Sequence, residues 1–165
     1  CAYEVVKYLG VDENIIKEAA KKVIWQCRFE VYSKNPLVIF DGAHNAAGAE
    51  SFNMTYQELF EDKPKTIVMA ILSDKDENGI IREVVKPKDT VIAVAAPTPR
   101  TEIPVQLVEN VRQCVKQVVA QTEESVSDAL ELALRSTQAG DNIVVCGSLY
   151  ILGEARSWLQ DCLSH

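Results

Sequence analysis

Three short runs, TIVMAIL at 66–72, TVIAVAA at 90–96 and NIVVCGS at 142–148, are apolar almost without a break. Strands that face solvent on one side alternate apolar and polar residues. Unbroken apolar strands are buried on both faces, the mark of the centre of a parallel sheet. Parallel strands in turn need a helix-length return between them. The segments between the runs have the required spacing. Ile80, Ile81, Val84 and Val85 share one face of a helix over 74–86, stopped by Pro87. Pro104 opens a helix carrying Val105, Val108 and Val111, and Ser125 caps one carrying Ala129, Leu130, Ala133 and Leu134. The last helix, 150–163, presents Leu152, Ala155, Trp158 and Leu159.

With strands at 29–32, 37–40, 66–72, 90–95, 117–120 and 142–146, the expected fold is α/β. It is a three-layer α/β/α Rossmann-like domain whose six-stranded sheet is mostly parallel. The strand at 29–32 is separated from the next by the turn sequence SKNP, so it is expected to pair antiparallel at one edge. Upstream, CAYEVVKYLG reads as a helix stopped by Gly10, and Asp12 caps a second helix carrying Ile15, Ile16, Ala19 and Val23. The expected organisation is residues 1–24 as N-terminal helices and residues 25–165 as one domain, a division that the length of 165 residues supports.

Acidic residues outnumber basic ones, 24 to 17, for a net charge of −7, which argues against nucleic acid as the main partner. No apolar run approaches the roughly 20 residues of a membrane span. The five cysteines, Cys1, Cys27, Cys114, Cys146 and Cys162, form no CxxC pair and no zinc spacing, so a reduced, cytoplasmic protein without a metal site of its own is expected.

In an open parallel sheet, ligands bind beyond the carboxyl ends of the strands. Four loops leave that rim: Asp41-Gly42-Ala43-His44-Asn45, Ser73-Asp74-Lys75-Asp76, APTPR ending at Arg100, and Gly147-Ser148. Each has an ordinary structural use as well, since Asp or Ser before a helix caps it and charged loops are solvated. Two prolines stiffen the loop of Arg100, whose guanidinium matches a carboxylate or phosphate. Gly147-Ser148 before a helix can hold an anion. Neither GxxxxGK[ST] nor GxGxxG occurs, so the usual triphosphate cradle is absent from these residues.

DGAHN, SDKD, PTPR and CGSLYILGEAR, taken in this order, resemble the C-terminal domain of folylpolyglutamate synthase and dihydrofolate synthase in the Mur ligase family. The likeness covers essentially the whole chain. Two positions depart from the family pattern: WPGR reads Trp25-Gln26-Cys27-Arg28 here, and the proline that usually follows DGAHN is Ala46. The resemblance implies an ATP-dependent ligase that phosphorylates a folate or dihydropteroate carboxylate and joins L-glutamate to it. It implies Arg28, Asp41 and Asn45 at the nucleotide, His44, Lys75 and Ser148 in catalysis, and Asp74, Asp76, Arg100 and Gly147 around the amino acid. It also implies that Mg2+ ligands and the phosphate-binding loop lie on a separate N-terminal domain, near which the helix at 12–23 would sit, in an enzyme expected to be monomeric. On the residues alone, a Mur-type ligase for another amino acid and a stand-alone nucleotide- or anion-binding module stay open. Asp41→Ala is expected to weaken the use of ATP and leave the domain folded.

Overall fold

The computed structural model describes residues 2–23, 25–61, 63–138 and 140–163. Cys1 and Ile24 lie outside the described residues. Helices α1 (Ala2–Tyr8) and α2 (Glu13–Lys22) come first. Gly10 ends α1 at φ +82°, where Gly10 N donates to Lys7 O and Val11 N to Val6 O, the paired bonds of a Schellman stop. Asp12 caps α2 by accepting from Asn14 N at 2.9 Å. Neither helix buries much. Ile16 is covered, whereas Val5, Tyr8, Leu9, Ile15 and Val23 are more than half exposed.

The sheet contains β1 (Glu30–Lys34), β2 (Leu37–Phe40), β3 (Lys65–Met69), β4 (Thr90–Ala93), β5 (Val119–Thr122) and β6 (Asn142–Cys146). Their spatial order is β1-β2-β6-β3-β4-β5, and every neighbouring pair is parallel except β1 with β2. Helices α3 (Ala46–Phe60), α4 (Glu77–Val84) and α5 (Pro104–Cys114) pack on one face over Ile39, Ile67, Met69, Val91 and Val144. Helices α6 (Val126–Ser136) and α7 (Leu149–Leu163) pack on the other, over Val38, Phe40, Val68, Ile92, Ile143 and Val145. The residues of β3 and β6 are buried throughout, as unbroken apolar runs require.

The architecture agrees with the sequence-based expectation, and the boundaries shift for local reasons. Phe29 and Gln117 have φ of +42° and +59°, outside the strand region, so β1 and β5 each begin later than their apolar residues indicate. Ser33 and Lys34 continue β1, which shrinks the SKNP turn to Asn35-Pro36 with a cis peptide bond. Past Met69 the chain no longer pairs as a strand, though Leu72 makes an isolated bridge to Thr101. Helix α4 starts three residues after Asp74 because Asp76 is its cap, accepting from Gly79 N at 2.9 Å. Helix α7 begins at Leu149 rather than Tyr150.

Candidate functional site

Strand β6 lies between β2 and β3, yet the chain leaves it for α7 on one face while its neighbours lead to α3 and α4 on the other. Where adjacent strands diverge in this way, the loops part and leave a crevice. Three cross-links hold the exits of β2, β6 and β3 together: Asp41 N to Val145 O, Gly147 N to Ala43 O, and Ala70 N to Cys146 O. Gly147 sits at φ +94°, and a Cβ there would lie 2.4 Å from Ala70 O, so no other residue fits this crossing.

Asp41 is almost buried, with 6% of its surface exposed. Its two carboxylate oxygens accept from Phe29 N and Ala43 N, each at 2.7 Å. Burial pushes its carboxyl above the ordinary value, while those two donors and the charge of Arg28 pull it down. The aspartate thus fastens the turn that presents Arg28. Cys27, where the family pattern has glycine, adopts φ +59°, a left-handed backbone that glycine takes without penalty. Its carbonyl accepts from Gly42 N at 2.7 Å, and its N–H donates to Glu30 Oε2 at 2.8 Å. Arg156, the arginine of GEAR, pairs with that same Glu30 oxygen and lies over the rings of Tyr32 and Phe40. This arginine secures the Arg28 turn from behind. Its position twelve decades of sequence numbers later gave no signal of that partnership.

Two hollows open at the rim. The first, about 180 Å³, is lined by Arg28, Phe29, Asp41, Gly48, Ser51 and Thr55, among others. The second, about 160 Å³, is lined by His44, Lys75, Arg100, Ser148, Leu72, Leu149 and Tyr150. His44 Nδ1 is 2.8 Å from Gly42 O. A carbonyl only accepts, so Nδ1 carries the proton and Nε2 is left to the hollow. Ser148 is buried, and its Oγ accepts from Tyr150 N at 3.3 Å. Lys75 and Arg100 both contact Asp74, whose carboxyl is held below its ordinary value chiefly by the hydrogen bond from Lys75.

Four of the sequence-predicted residues, His44, Lys75, Arg100 and Ser148, thus share one hollow, and Arg28 and Asp41 share the other. Asn45 and Asp76 line neither. They cap α3 and α4, and Gly147 acts through its backbone. Residue-by-residue reading missed Gly48, Ser51 and Thr55, although spacings of three and four on α3 place them on one side of the helix. It also missed Tyr150 beside Ser148.

Larger hollows, of about 370 and 270 Å³, lie at the opposite end of the sheet; Thr137, Gln138 and Asp141 line both, with the hairpin residues Asn35 and Pro36 in the first and Lys88 and Thr90 in the second. None of the rim loops lines them. The two rim hollows fall below the roughly 300–1,000 Å³ of a complete small-molecule site, as two partial sites would. Among the described residues, no group of three or more His, Cys, Asp or Glu side chains is arranged to hold a metal ion, and no helix is long and apolar enough to cross a membrane.

Fold and rim together define a doubly wound α/β domain with a crevice at its topological switch point. The profile of the dihydrofolate synthetase C-terminal domain family matches residues 26–158, and the chain belongs to that family. The dihydrofolate synthase/folylpolyglutamate synthase of Escherichia coli is 30% identical over 86% of the chain, and the folylpolyglutamate synthase of Lacticaseibacillus casei 31% identical over 82%. The chain spans about a third of the length of these curated relatives, 32% and 30% respectively. An Escherichia coli FolC structure in complex with DHPP and ADP superposes with a TM-score of 0.79 at 28% identity, covering 94% of this chain and 36% of that one. A Mycobacterium tuberculosis folylpolyglutamate synthase complexed with ADP and AMPPCP does so with a TM-score of 0.77 at 26% identity, covering 91% and 36%.

Proposed function

We propose that this chain forms one wall of the active site of an ATP-dependent ligase that joins L-glutamate to a folate or dihydropteroate carboxylate. The observation that carries the reading is the pair of rim hollows, one with Arg28 and Asp41, the other with His44, Lys75, Arg100 and Ser148, in a chain of this family. In such a reaction ATP phosphorylates the acceptor carboxylate, and the amine of glutamate displaces phosphate from the acyl phosphate. Arg28, with no ion pair among the described residues, faces the nucleotide phosphates. Asp41 keeps Arg28 in place, and the lone pairs left on its oxygens accept from ribose hydroxyls. Asn45 and Asp76 support the site as helix caps rather than by direct contact.

The incoming amine is an ammonium at neutral pH and loses a proton before it attacks. His44, with Nδ1–H on Gly42 O, offers Nε2 as the acceptor for that proton. Lys75 and Arg100 hold a carboxylate of the glutamate, and Ser148 contributes its hydroxyl hydrogen. Mg2+ would neutralise charge on the transferring phosphoryl group. We place its ligands, with the triphosphate cradle, on a further domain of the same polypeptide. The exposed Val5, Tyr8, Leu9 and Trp25 of residues 1–24 and their junction are suited to lie against that domain. Free thiols at Cys27, Cys114, Cys146 and Cys162 fit a reducing cytoplasm, and we take the enzyme to be monomeric.

The test is to express the chain joined to its natural upstream sequence and follow ATP- and glutamate-dependent extension of a folate. His44→Ala should lower kcat by about a hundredfold, the usual scale for a lost general base, with the fold intact. Unaltered enzyme that turns over no folate, or prefers another amino acid, would refute the assignment.

A further inference from the structure

At the mouth of the second hollow, two cations from different loops share a single oxygen. Asp74 Oδ2 lies 3.2 Å from Lys75 Nζ and 3.5 Å from Arg100 Nη1. The loops that carry those cations are tied together independently of this contact. Ser73 N and Ser73 Oγ donate to Arg100 O at 2.9 and 3.2 Å, and Glu102 N donates to Ile71 O at 2.9 Å. Backbone bonds therefore bring the ammonium and the guanidinium to one place, and they would repel each other without an anion between them.

Lys75 and Arg100 line the hollow, and Asp74 does not. The carboxylate meets them from outside. All three side chains are substantially exposed, at 31%, 55% and 45%, and the contacts are single rather than bidentate. Pairs of this kind are weak and exchange readily with another anion.

We propose that Asp74 is an internal stand-in for the carboxylate of the amino-acid substrate, and that competition between the two sets how tightly that substrate is held. This rests on the ligase reading above. Between turnovers Asp74 neutralises part of the cation pair and keeps it together. An incoming carboxylate takes over Lys75 and Arg100 from the side of the hollow, and Asp74 turns out into water, where an exposed carboxylate is fully solvated. A substrate without a carboxylate to offer does not displace it, which favours acidic ligands at the cost of some affinity for all of them. The opposite role, in which Asp74 holds the substrate ammonium, predicts the opposite sign for every measurement below.

In the full-length enzyme, Asp74→Asn should lower the KM for L-glutamate about threefold, the scale of an exposed ion pair, and leave kcat unchanged. Glu102→Gln removes a charge from the same rim without touching either cation, since Glu102 Oε1 accepts from Ile103 N; it should leave KM as it was. With the 165-residue chain alone, glutarate is the probe. The Lys75 and Arg100 amide resonances should report about threefold tighter binding to the Asp74→Asn chain than to the unaltered one. A rise in KM, no change in either KM or glutarate affinity, or an equal fall in Glu102→Gln would each overturn the proposal. If the unaltered full-length enzyme shows no glutamate-dependent turnover, the ligase reading fails, and the glutarate comparison still decides whether Asp74 competes for the cation pair.

Discussion

At the amino ends of the strands, Lys65 and Asp89 meet at 2.7 Å with 3% and 1% of their side chains exposed; at the carboxyl ends, Lys75 and Arg100 meet Asp74 at 3.2 and 3.5 Å with between 31% and 55% of each side chain exposed. The lower pair is embedded. Asp89 accepts from Lys65 N and Lys86 N as well as from the ammonium, which also lies 4.8 Å from the centre of the Tyr56 ring. Asn142 donates to the Tyr56 hydroxyl, and its Oδ1 is the one buried side-chain acceptor without a partner among the described residues. Burial raises the carboxyl of Asp89, and the neighbouring charge of Lys65 opposes that rise. The same types of side chain therefore tie β3 to the β4 approach at one end and make exposed, single contacts at the other. What separates the two ends is burial and the number of partners, not residue identity.

The largest break in this comparison comes from the lower end. Lys65→Ala leaves Asp89 buried and unpaired, and should cost about 3–5 kcal/mol in chemical denaturation while glutarate binding at the other rim is unchanged. A double replacement, Lys65→Met with Asp89→Asn, removes both charges and keeps an amide oxygen to accept from the backbone N–H of Lys65 or Lys86, and should recover part of that loss. A loss below about 1 kcal/mol for Lys65→Ala would place this pair in the exposed class, and the contrast would collapse.

Asp41 is the point where the two behaviours meet, because it belongs to the candidate rim but is buried like the lower pair. Asp41→Ala frees two backbone N–H groups and should cost about 2–4 kcal/mol. The domain should then stay folded but less stable, and part of any functional loss would come from a loosened Arg28 turn. The pH dependence gives the sign. A carboxyl whose folded value is raised binds its proton to higher pH in the fold than in the unfolded chain. Its contribution is fully present below about pH 4 and is lost as pH rises through the folded value. The variant should show a flatter stability profile in that window, and an unchanged profile would remove burial as the dominant influence on Asp41.

The smallest effect tests the turn itself. Cys27→Gly replaces a left-handed cysteine with the residue that the family pattern carries there, and should stabilise the domain by about 1 kcal/mol in thermal melts. Destabilisation would mean that the cysteine side chain contributes packing worth more than the backbone strain.

The α/β class and the parallel sheet were legible because TIVMAIL and NIVVCGS are buried on both faces, and no other common arrangement demands that of strands so short. The four rim loops were legible for a related reason: the chain has to leave each parallel strand at the same end. Boundaries were less so. Phe29 and Gln117 look like strand residues, but their backbone is left-handed, a choice imposed by the turns around them. The roles of Asn45 and Asp76 were ambiguous between ligand and cap, and only the bonds to Gly48 N and Gly79 N separate the two.

By itself, then, the sequence determined the layers, the direction of the strands and the list of polar residues gathered at one rim, because these follow from periodicity and chain direction. The tertiary structure decided how that list divides. It put β6 between β2 and β3, so that Ser148 falls beside His44 and Lys75, and it joined Arg156 to Glu30 behind Arg28. It also left one oxygen of Asp74 between two cations from separate loops. Strand order and long-range pairing depend on which surfaces bury one another across the whole chain, and no local window of residues carries that information.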